Sequence, residues 1–422
     1  MNEQPQQTAF TRYQIFIIAV LAFIQFTVIL DFIIVAPLGA LLMSIMHITP
    51  GEFGTIVSAY AFSAGLSGFL AAGFADRYDR KHFLLFFYAG FILGTFLCGI
   101  ATDYTFLLVA RIITGIFGGV IASVSLAIVA DLFPLNARSR VMGFVQMSFA
   151  VAQVAGIPLG VYLANEFGWH APFMLIVAIG VPAGIAMMKL VRPIDDHLAA
   201  GGASHNAFQH LWRTISEKRY TASFSTTTTL TLGGFLLMPF SSAFLVYNVG
   251  IAQEQLPFVF MATGITTIIV LPIVGRLSDR IGALRMFTIG TAIAAVMVVV
   301  YTNMGITPLW EVVLINIIFF TGMVSRMIPA TTTMTAVPEL TDRGAFMSIS
   351  SSLQQVSGGI ASVIAGMFIG KTAEGALVNY NYLGYVTVGM MIVGAVLMGV
   401  VHRQVQAKGA AAAANISGEV HH

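Results

Sequence analysis

The chain has 422 residues, of which 57% are hydrophobic and only 9% charged, with 20 Lys and Arg, 18 Asp and Glu, and a mean hydropathy of +0.88. Average soluble proteins carry roughly 25% charged residues, so this composition excludes a soluble globular protein, which needs polar loops and outer helix faces. The single cysteine, Cys98, lies inside an apolar run, which excludes an intrachain disulfide and suits a small packed hydrophobe.

Residues 1–11 are polar and lack a basic region of the secretory type, and the apolar run that follows exceeds signal-peptide length, so it reads as a retained span. Six apolar runs fill the first half, at 13–43, 51–71, 82–100, 104–130, 138–164 and 170–191. Six more fill the second, at 220–247, 254–275, 285–302, 308–335, 343–370 and 381–402. Each is longer than the ~9–11 residues of a membrane β-strand, and their Gly and Pro content favours membrane helices. Short loops make sequential helices antiparallel neighbours. The exception is the charged stretch 192–219, which separates an N-terminal six-helix bundle (1–191) from a C-terminal one (220–402). Residues 206–219 suit an amphipathic helix on the membrane surface, with Phe208, Leu211, Trp212 and Ile215 on one face. The tail, 403–422, has an alanine run and reads as disordered.

With the N-terminus inside, every Lys and Arg except Lys371, Arg111 and Arg326 falls on the cytoplasmic side, while the opposite loops carry Glu52, Asp103, Glu166, Glu254, Glu311 and Glu374. This is a positive-inside pattern that puts both termini in the cytoplasm. The inner loops also contain a recurrence. Residues 72–81, with Asp76, Arg77, Asp79, Arg80 and Lys81, return about half a chain length later as residues 275–282, with Asp279 and Arg280. A motif recurring at that distance between hydrophobic helices indicates an internal duplication of the transporter kind.

Three ionisable residues lie well inside spans: Asp31, Arg111 and Arg326. At a helix centre each costs at least ~2.5–3.5 kcal/mol on insertion scales, so each needs a partner, a wet cavity or a function. Asp31 lies near the middle of the first span, with Thr27 one turn earlier on its face and Gln25 in the same span. Its charge state responds to hydration, which makes it a proton-coupling candidate. The alternative is an Asp31–Arg111 ion pair that only holds helices together. Arg111 is followed at four-residue spacing by Gly115, Gly119 and Ser123, a stripe that allows close helix approach and lets the guanidinium reach the first helix. Arg326 precedes Pro329 and Thr331–Thr333, and either lines a cavity or packs helices. In a cavity it suits an anionic or hydroxyl-rich substrate. The substrate-cavity candidates are therefore Gln25, Thr27, Asp31 and Arg326. In the fifth span Ala152, Gly156, Gly160 and Ala164 surround Pro158 and predict a tight, kinked helix contact. No His, Glu or Cys cluster has metal-ligand spacing, and neither a phosphate loop nor a Ser/His/Asp arrangement is evident, so no enzyme, metal or organic cofactor is expected.

These residues carry a resemblance to the major facilitator superfamily (MFS) over residues 13–402. Asp76, Arg77, Arg80 and Lys81 match its signature loop between the second and third helices, although Ala72 and Asp79 replace the two glycines. Gly275, Asp279, Arg280 and Gly282 match the second copy, with Ala283 and Leu284 in place of the basic pair. Arg111 with Gly115 resembles a fourth-helix motif associated with proton transfer, and Leu30-Asp31 followed by Pro37 is similar to an acidic first-helix motif of exporters. Gly156-Ile157-Pro158-Leu159-Gly160 resembles the fifth-helix motif of drug:proton antiporters. Residues 168–173 and 326–330 look like the branch containing sugar, nucleoside and multidrug exporters.

The resemblance implies an all-α membrane protein of twelve helices in two pseudo-symmetric six-helix bundles. It also implies a monomeric, bacterial-type inner-membrane antiporter that exports a small organic molecule against protons, with the proton gradient as energy source and no nucleic-acid partner. Asp76, Arg77, Arg80, Lys81, Asp131, Asp279 and Arg280 would form its cytoplasmic gate, close to the inner end of the eleventh helix. One rival is a symporter or facilitator importing a metabolite. A second is a receptor or membrane enzyme, which would need a signalling domain or clustered catalytic residues.

Overall fold

A computed structural model describes residues 10–71, 78–195, 207–339, 342–373 and 375–419. Among these residues eleven helices are long and apolar enough to cross a membrane: α1 (Arg12–Ile34), α2 (Pro50–Ala71), α3 (Arg80–Gly99), α4 (Tyr104–Leu132), α5 (Arg140–Phe167), α6 (Ala171–Leu190), α7 (Lys218–Tyr247), α8 (Gln253–Ile281), α9 (Ala283–Thr302), α10 (Leu309–Thr335) and α12 (Tyr380–Lys408). The remaining long helix, α11 (Arg343–Phe368), reaches span length but is more polar, through the stretch Ser348 to Ser357. A two-residue antiparallel ladder, Gly370–Lys371 with Leu377–Val378, joins α11 to α12.

Local chemistry sets the helix ends. Thr11 and Gln14 form a reciprocal capping box on α1, and Asp103 caps α4 by accepting from the Phe106 amide at 3.0 Å. The α8–α9 turn passes through Gly282 at φ 93°, a conformation disfavoured for side chains with a Cβ. The first apolar run is not one helix. Its helix stops at Ile34 and restarts as a short helix, Gly39–Ile45, because Pro37 cannot donate to the preceding turn. The same interruption recurs in α7, where a 3₁₀ turn, Met238–Phe240, contains Pro239. The tail also departs from expectation: helix continues from α12 to Glu419 instead of ending as a disordered segment. Its run Ala410–Ala414 is the best helix-forming sequence available.

Within the N-terminal bundle, small residues fix the crossing of α2 and α4. A Cβ on Gly115 would stand 2.5 Å from the Tyr60 carbonyl oxygen, and one on Gly119 2.2 Å from that of Ala64. The expected close approach of this stripe is therefore present. In α5, Pro158 leaves the Val154 carbonyl without its helical donor, and the chain absorbs this in a π turn, Ala152–Gly156. Gly156 and Gly160 then admit Leu30 and Ile34 of α1.

Gly65, near the inner end of α2, packs against Val356, Gln355 and Ser352 of α11, and further bundle-to-bundle contacts lie at the end remote from the basic loops. The two proline breaks pack against each other there: Ser242 Oγ donates to the Ala36 carbonyl at 2.9 Å, and Tyr247 Oη donates to that of Ala40 at 3.2 Å. Phe53 and Phe240 stack edge to face at 5.7 Å. A Cβ on Gly54 would stand 2.5 Å from the Ser362 carbonyl oxygen, and Asn165 Nδ2 donates to the Gln253 carbonyl at 3.0 Å. Where α5 crosses α8, Gly264 lies against the Val154 backbone.

Toward the basic end α2 and α11 remain in contact, with Phe69 of α2 packed against the cluster of Phe224, Phe346 and Ile349. On α11, Met347, Ser351 and Gln354 are exposed on the angular side that, two to three turns later, packs Ser362 against α2. The exposed apolar residues Ile360, Ile364 and Met367 point roughly 180° away, at about 100° per residue. The apolar face suits lipid, and the polar one water. This polarity explains why α11 is too hydrophilic to resemble its neighbours.

Gly119→Ala should force α2 from α4 and destabilise the protein by about 1–3 kcal/mol. This is read as a lowered melting midpoint in detergent. Gly143→Ala, with no neighbouring atom within 4 Å, should leave the midpoint unchanged or raise it. Equal midpoints for the two variants would contradict the tight crossing.

Candidate functional site

The three intramembrane charges occupy bundle interiors. Arg111 Nη1 donates to Asp31 Oδ2 at 2.7 Å and approaches the Asp31 carbonyl oxygen at 3.4 Å, so α4 and α1 are joined by a charge-assisted hydrogen bond. Thr95 Oγ1 of α3 donates to the other carboxylate oxygen at 3.1 Å. The guanidinium also lies over the Tyr60 ring of α2, 4.5 Å from its centroid. Asp31 is 0% and Arg111 1% exposed. The Arg111 Nε is buried without a partner, so the pair is incompletely satisfied.

Thr27 lies in the same interior, donating to the Ile24 carbonyl and meeting Tyr88 Oη of α3 at 3.2 Å. Thr27 and Asp31 therefore face α3 and α4, away from the space between the bundles. Gln25 is buried as well but lies two turns before Phe32 on one helix face. Phe32 contacts Tyr60 at 5.1 Å and Phe235 of α7 at 5.9 Å, so Gln25 shares the face that turns toward the opposite bundle. Tyr60 thus touches both the ion pair and the inter-bundle seam. Arg326, 5% exposed, sits over the Phe287 ring of α9 at 5.7 Å.

At the basic end, Asp76 and Arg77 lie outside the described residues. Arg80 Nε meets Asp131 Oδ2 at 3.1 Å, tying the start of α3 to the end of α4, and Lys81 is buried beside it in the chain. Asp79, which stands where the resemblance expects glycine, has a structural role. It caps α3, accepting from the His82 amide at 2.8 Å and meeting His82 Nδ1 at 2.9 Å, and its second oxygen accepts from the Ile194 amide at 2.8 Å. Arg80 N in turn donates to the Ile194 carbonyl at 3.1 Å. Partial burial pushes the Asp79 carboxyl up, but the hydrogen bonds from His82 and Ile194 outweigh it and hold the group below the ordinary carboxylate range.

The second copy of the loop does not mirror the first. Asp279 and Arg280 are exposed and make no ion pair among the described residues. The C-terminal bundle instead gathers charges that the sequence did not reveal as a group. Arg219 Nη2 meets Asp342 at 2.9 Å and Arg219 Nη1 meets Glu339; Tyr220 Oη donates to Asp342 at 2.7 Å, and His210 lies 3.1 Å from the same carboxylate. The Tyr220 hydrogen bond first, then those from the basic partners, outweigh desolvation and hold Asp342 below the ordinary carboxylate range. This cluster clips the linker helix Ala207–Ser216 to the start of α7 and to α11. Leu211 is correspondingly buried against the C-terminal bundle, while Trp212 is 63% exposed.

Two bundles of long apolar helices, with an ion pair inside one of them, define a polytopic membrane protein. The sequence profile of the Major Facilitator Superfamily matches residues 21–240 and 223–417, and the chain belongs to that superfamily, which is one of transporters and not of enzymes. It is 30% identical to multidrug resistance protein 3 of Bacillus subtilis (strain 168), over 35% of this chain and 28% of that protein. It is 26% identical to a probable sugar efflux transporter of Helicobacter pylori (strain G27), over 46% and 49%. The chain spans about half the length of the curated relatives it matches. Among solved structures, a bacterial homologue of the human lysosomal transporter Spinster, inward-facing and occupied, superposes with a TM-score of 0.71 at 15% identity, covering 94% of this chain and 98% of that one.

Asp79→Ala should cost about 1 kcal/mol through loss of the cap and lower the melting midpoint, whereas Asp79→Asn, which still caps, should restore most of it. An unchanged midpoint in Asp79→Ala would mean that the α3 terminus does not depend on this carboxylate.

Proposed function

We propose that the protein is a proton-coupled antiporter that exports a small organic molecule by alternating access across a bacterial-type inner membrane. It acts as a monomer with both termini cytoplasmic, and the proton gradient is its only energy source. The observation that carries this reading is the buried Asp31–Arg111 pair. A carboxylate in an apolar interior holds its charge only while the arginine, Thr95 and local hydration favour it. When the bundles rock and water reaches the pair from the other side, the carboxylate exchanges its proton, and Arg111 is released or recaptured accordingly. Tyr60, between Arg111 and the Phe32–Phe235 seam, is the contact through which that change reaches the opposite bundle.

We infer that the substrate entrance lies beside the polar face of α11, at the end carrying the basic loops, which is cytoplasmic by the positive-inside pattern. A substrate would enter there, pass Gln25 and be released after the seam of Ser242, Tyr247 and Phe53 parts. Arg80 and Asp131, with Asp76 and Arg77 before them in the loop, form the cytoplasmic latch, and Gly156, Pro158 and Gly160 shape α5 for the rocking motion. Export, rather than import, is favoured by the relatives named for multidrug resistance and for sugar efflux.

Inverted vesicles test this, using a cargo found by thermal-shift screening of antibiotics, sugars, nucleosides and amino acids. Asp31→Asn should lose proton-driven accumulation by at least about tenfold, while gradient-independent counterflow of the same cargo persists. Removing one partner of a buried pair costs about 3–5 kcal/mol, so the double variant D31N/R111Q serves as the folded control. Unimpaired proton-driven accumulation in either variant would remove the pair from coupling.

A further inference from the structure

The two bundle interiors differ in charge. In the N-terminal bundle Arg111 is neutralised by Asp31. In the C-terminal bundle Arg326, 95% buried, lies over the Phe287 ring with its guanidinium near Gly394 of α12, and it has no ion-pair partner among the described residues. Its Nε is buried without an acceptor, and among the described residues it makes no hydrogen bond. No carboxylate of its own bundle is at its level. Glu311, on the same helix, is 15 residues away, or about 22 Å along the axis. Glu339 and Asp342 are taken by Arg219, and Glu217, Glu254 and Asp279 lie at helix ends. Asp31, Arg111 and Arg326 together leave the membrane interior with a net charge of +1.

A second unsatisfied donor lies on α9, the helix that carries the Phe287 ring. Gly290 brings α9 against Ser325 and Arg326, since a Cβ there would stand 2.7–2.8 Å from their backbone atoms. The adjoining Thr291 Oγ1 is buried without a partner. Thr291 follows Phe287 by one helical turn, on the face of α9 whose ring Arg326 covers. On the next residues of α10, Met327 and Thr331 are exposed, about 100–140° round the helix from Arg326.

We propose that Arg326, assisted by Thr291, is an anion-recognition site, and that it binds the carboxylate or phosphate of an organic acid that is the transported molecule. The assignment rests on the transport reading above and narrows its substrate class. An unpaired buried cation is costly unless an anion from outside the chain completes it, and a planar guanidinium pairs such oxyanions bidentately. A cationic drug would meet net positive charge at this depth.

The test uses the full-length protein in detergent with no gradient, so loss of proton coupling in Asp31→Asn leaves its outcome untouched. Four probes are titrated against the melting midpoint: sodium benzoate, benzamide of the same shape but no charge, benzamidinium with the opposite charge, and sodium chloride. Each charged probe is compared at equal ionic strength with the chloride titration, which reads the general salt effect. Benzoate should raise the midpoint of the wild type, and benzamide and benzamidinium should not. The benzoate shift should vanish in Arg326→Met and need about tenfold more benzoate in Arg326→Lys, which keeps the charge but loses the fork. If Arg326→Met does not fold, the Arg326→Lys titration decides alone. No benzoate shift, an equal shift in the substituted protein, or an equal response to benzamidinium would overturn the site. A chloride shift as large as that of benzoate would identify an inorganic anion and overturn the organic-acid assignment.

Discussion

A charge cannot remain alone in a hydrocarbon environment, and the N-terminal bundle is built around that constraint. The Asp31 carboxylate has two oxygens, each with a donor, one from α4 and one from α3. The arginine that serves it also rests on the aromatic ring of α2. One ion pair therefore fixes the relative positions of four helices, and any change in its protonation is felt by all of them. The glycines at 115 and 119 belong to the same arrangement, because only without side chains can α4 come close enough for Arg111 to reach past α2.

The C-terminal bundle repeats the architecture without repeating the chemistry. Both halves break their first helix at a proline, and the two breaks, near Ala36 and Pro239, pack against each other across the seam. Duplication explains that pairing: equivalent segments of two related halves meet about the axis that relates them. The charges do not follow the symmetry. Arg326 has no counterpart to Asp31, and the loop copy around Asp279 has lost the basic pair. The cluster of Arg219, Asp342, Glu339 and His210 ties the linker to the C-terminal bundle at that end. The first half thus holds an internally neutral pair that can exchange a proton. The second keeps an unmatched cation.

The sequence disclosed most where a residue type was out of place. Asp31, Arg111 and Arg326 are conspicuous because an apolar run carries no reason for them, and the positions of the spans followed from the same contrast. The Arg111-to-first-helix contact was legible from the small-residue stripe. Contacts made by ordinary residues far apart in the chain were not. Asp79 looked like a lost glycine because its second partner, the Ile194 amide, arrives from 115 residues away. Arg219 and Asp342 are separated by 123 residues, and nothing in either local pattern connects them. The direction in which Thr27 points was hidden for a related reason: periodicity gives the face of a helix but not the neighbour that face meets. The polarity of α11 was masked in the same way, because the run 343–370 reads as apolar in outline and only the structure shows which of its sides packs on α2.

The central claim is that the Asp31–Arg111 pair changes protonation as the bundles alternate. Infrared difference spectroscopy of reconstituted protein, comparing acid and alkaline proton loads, reads this directly from the carboxyl stretch of Asp31, assigned by its absence in Asp31→Asn. The account predicts an ionised carboxylate paired with Arg111 in the resting state and a protonated carboxyl band under an acid load. A carboxylate that stays ionised under both loads, while transport still follows the proton gradient, would contradict it.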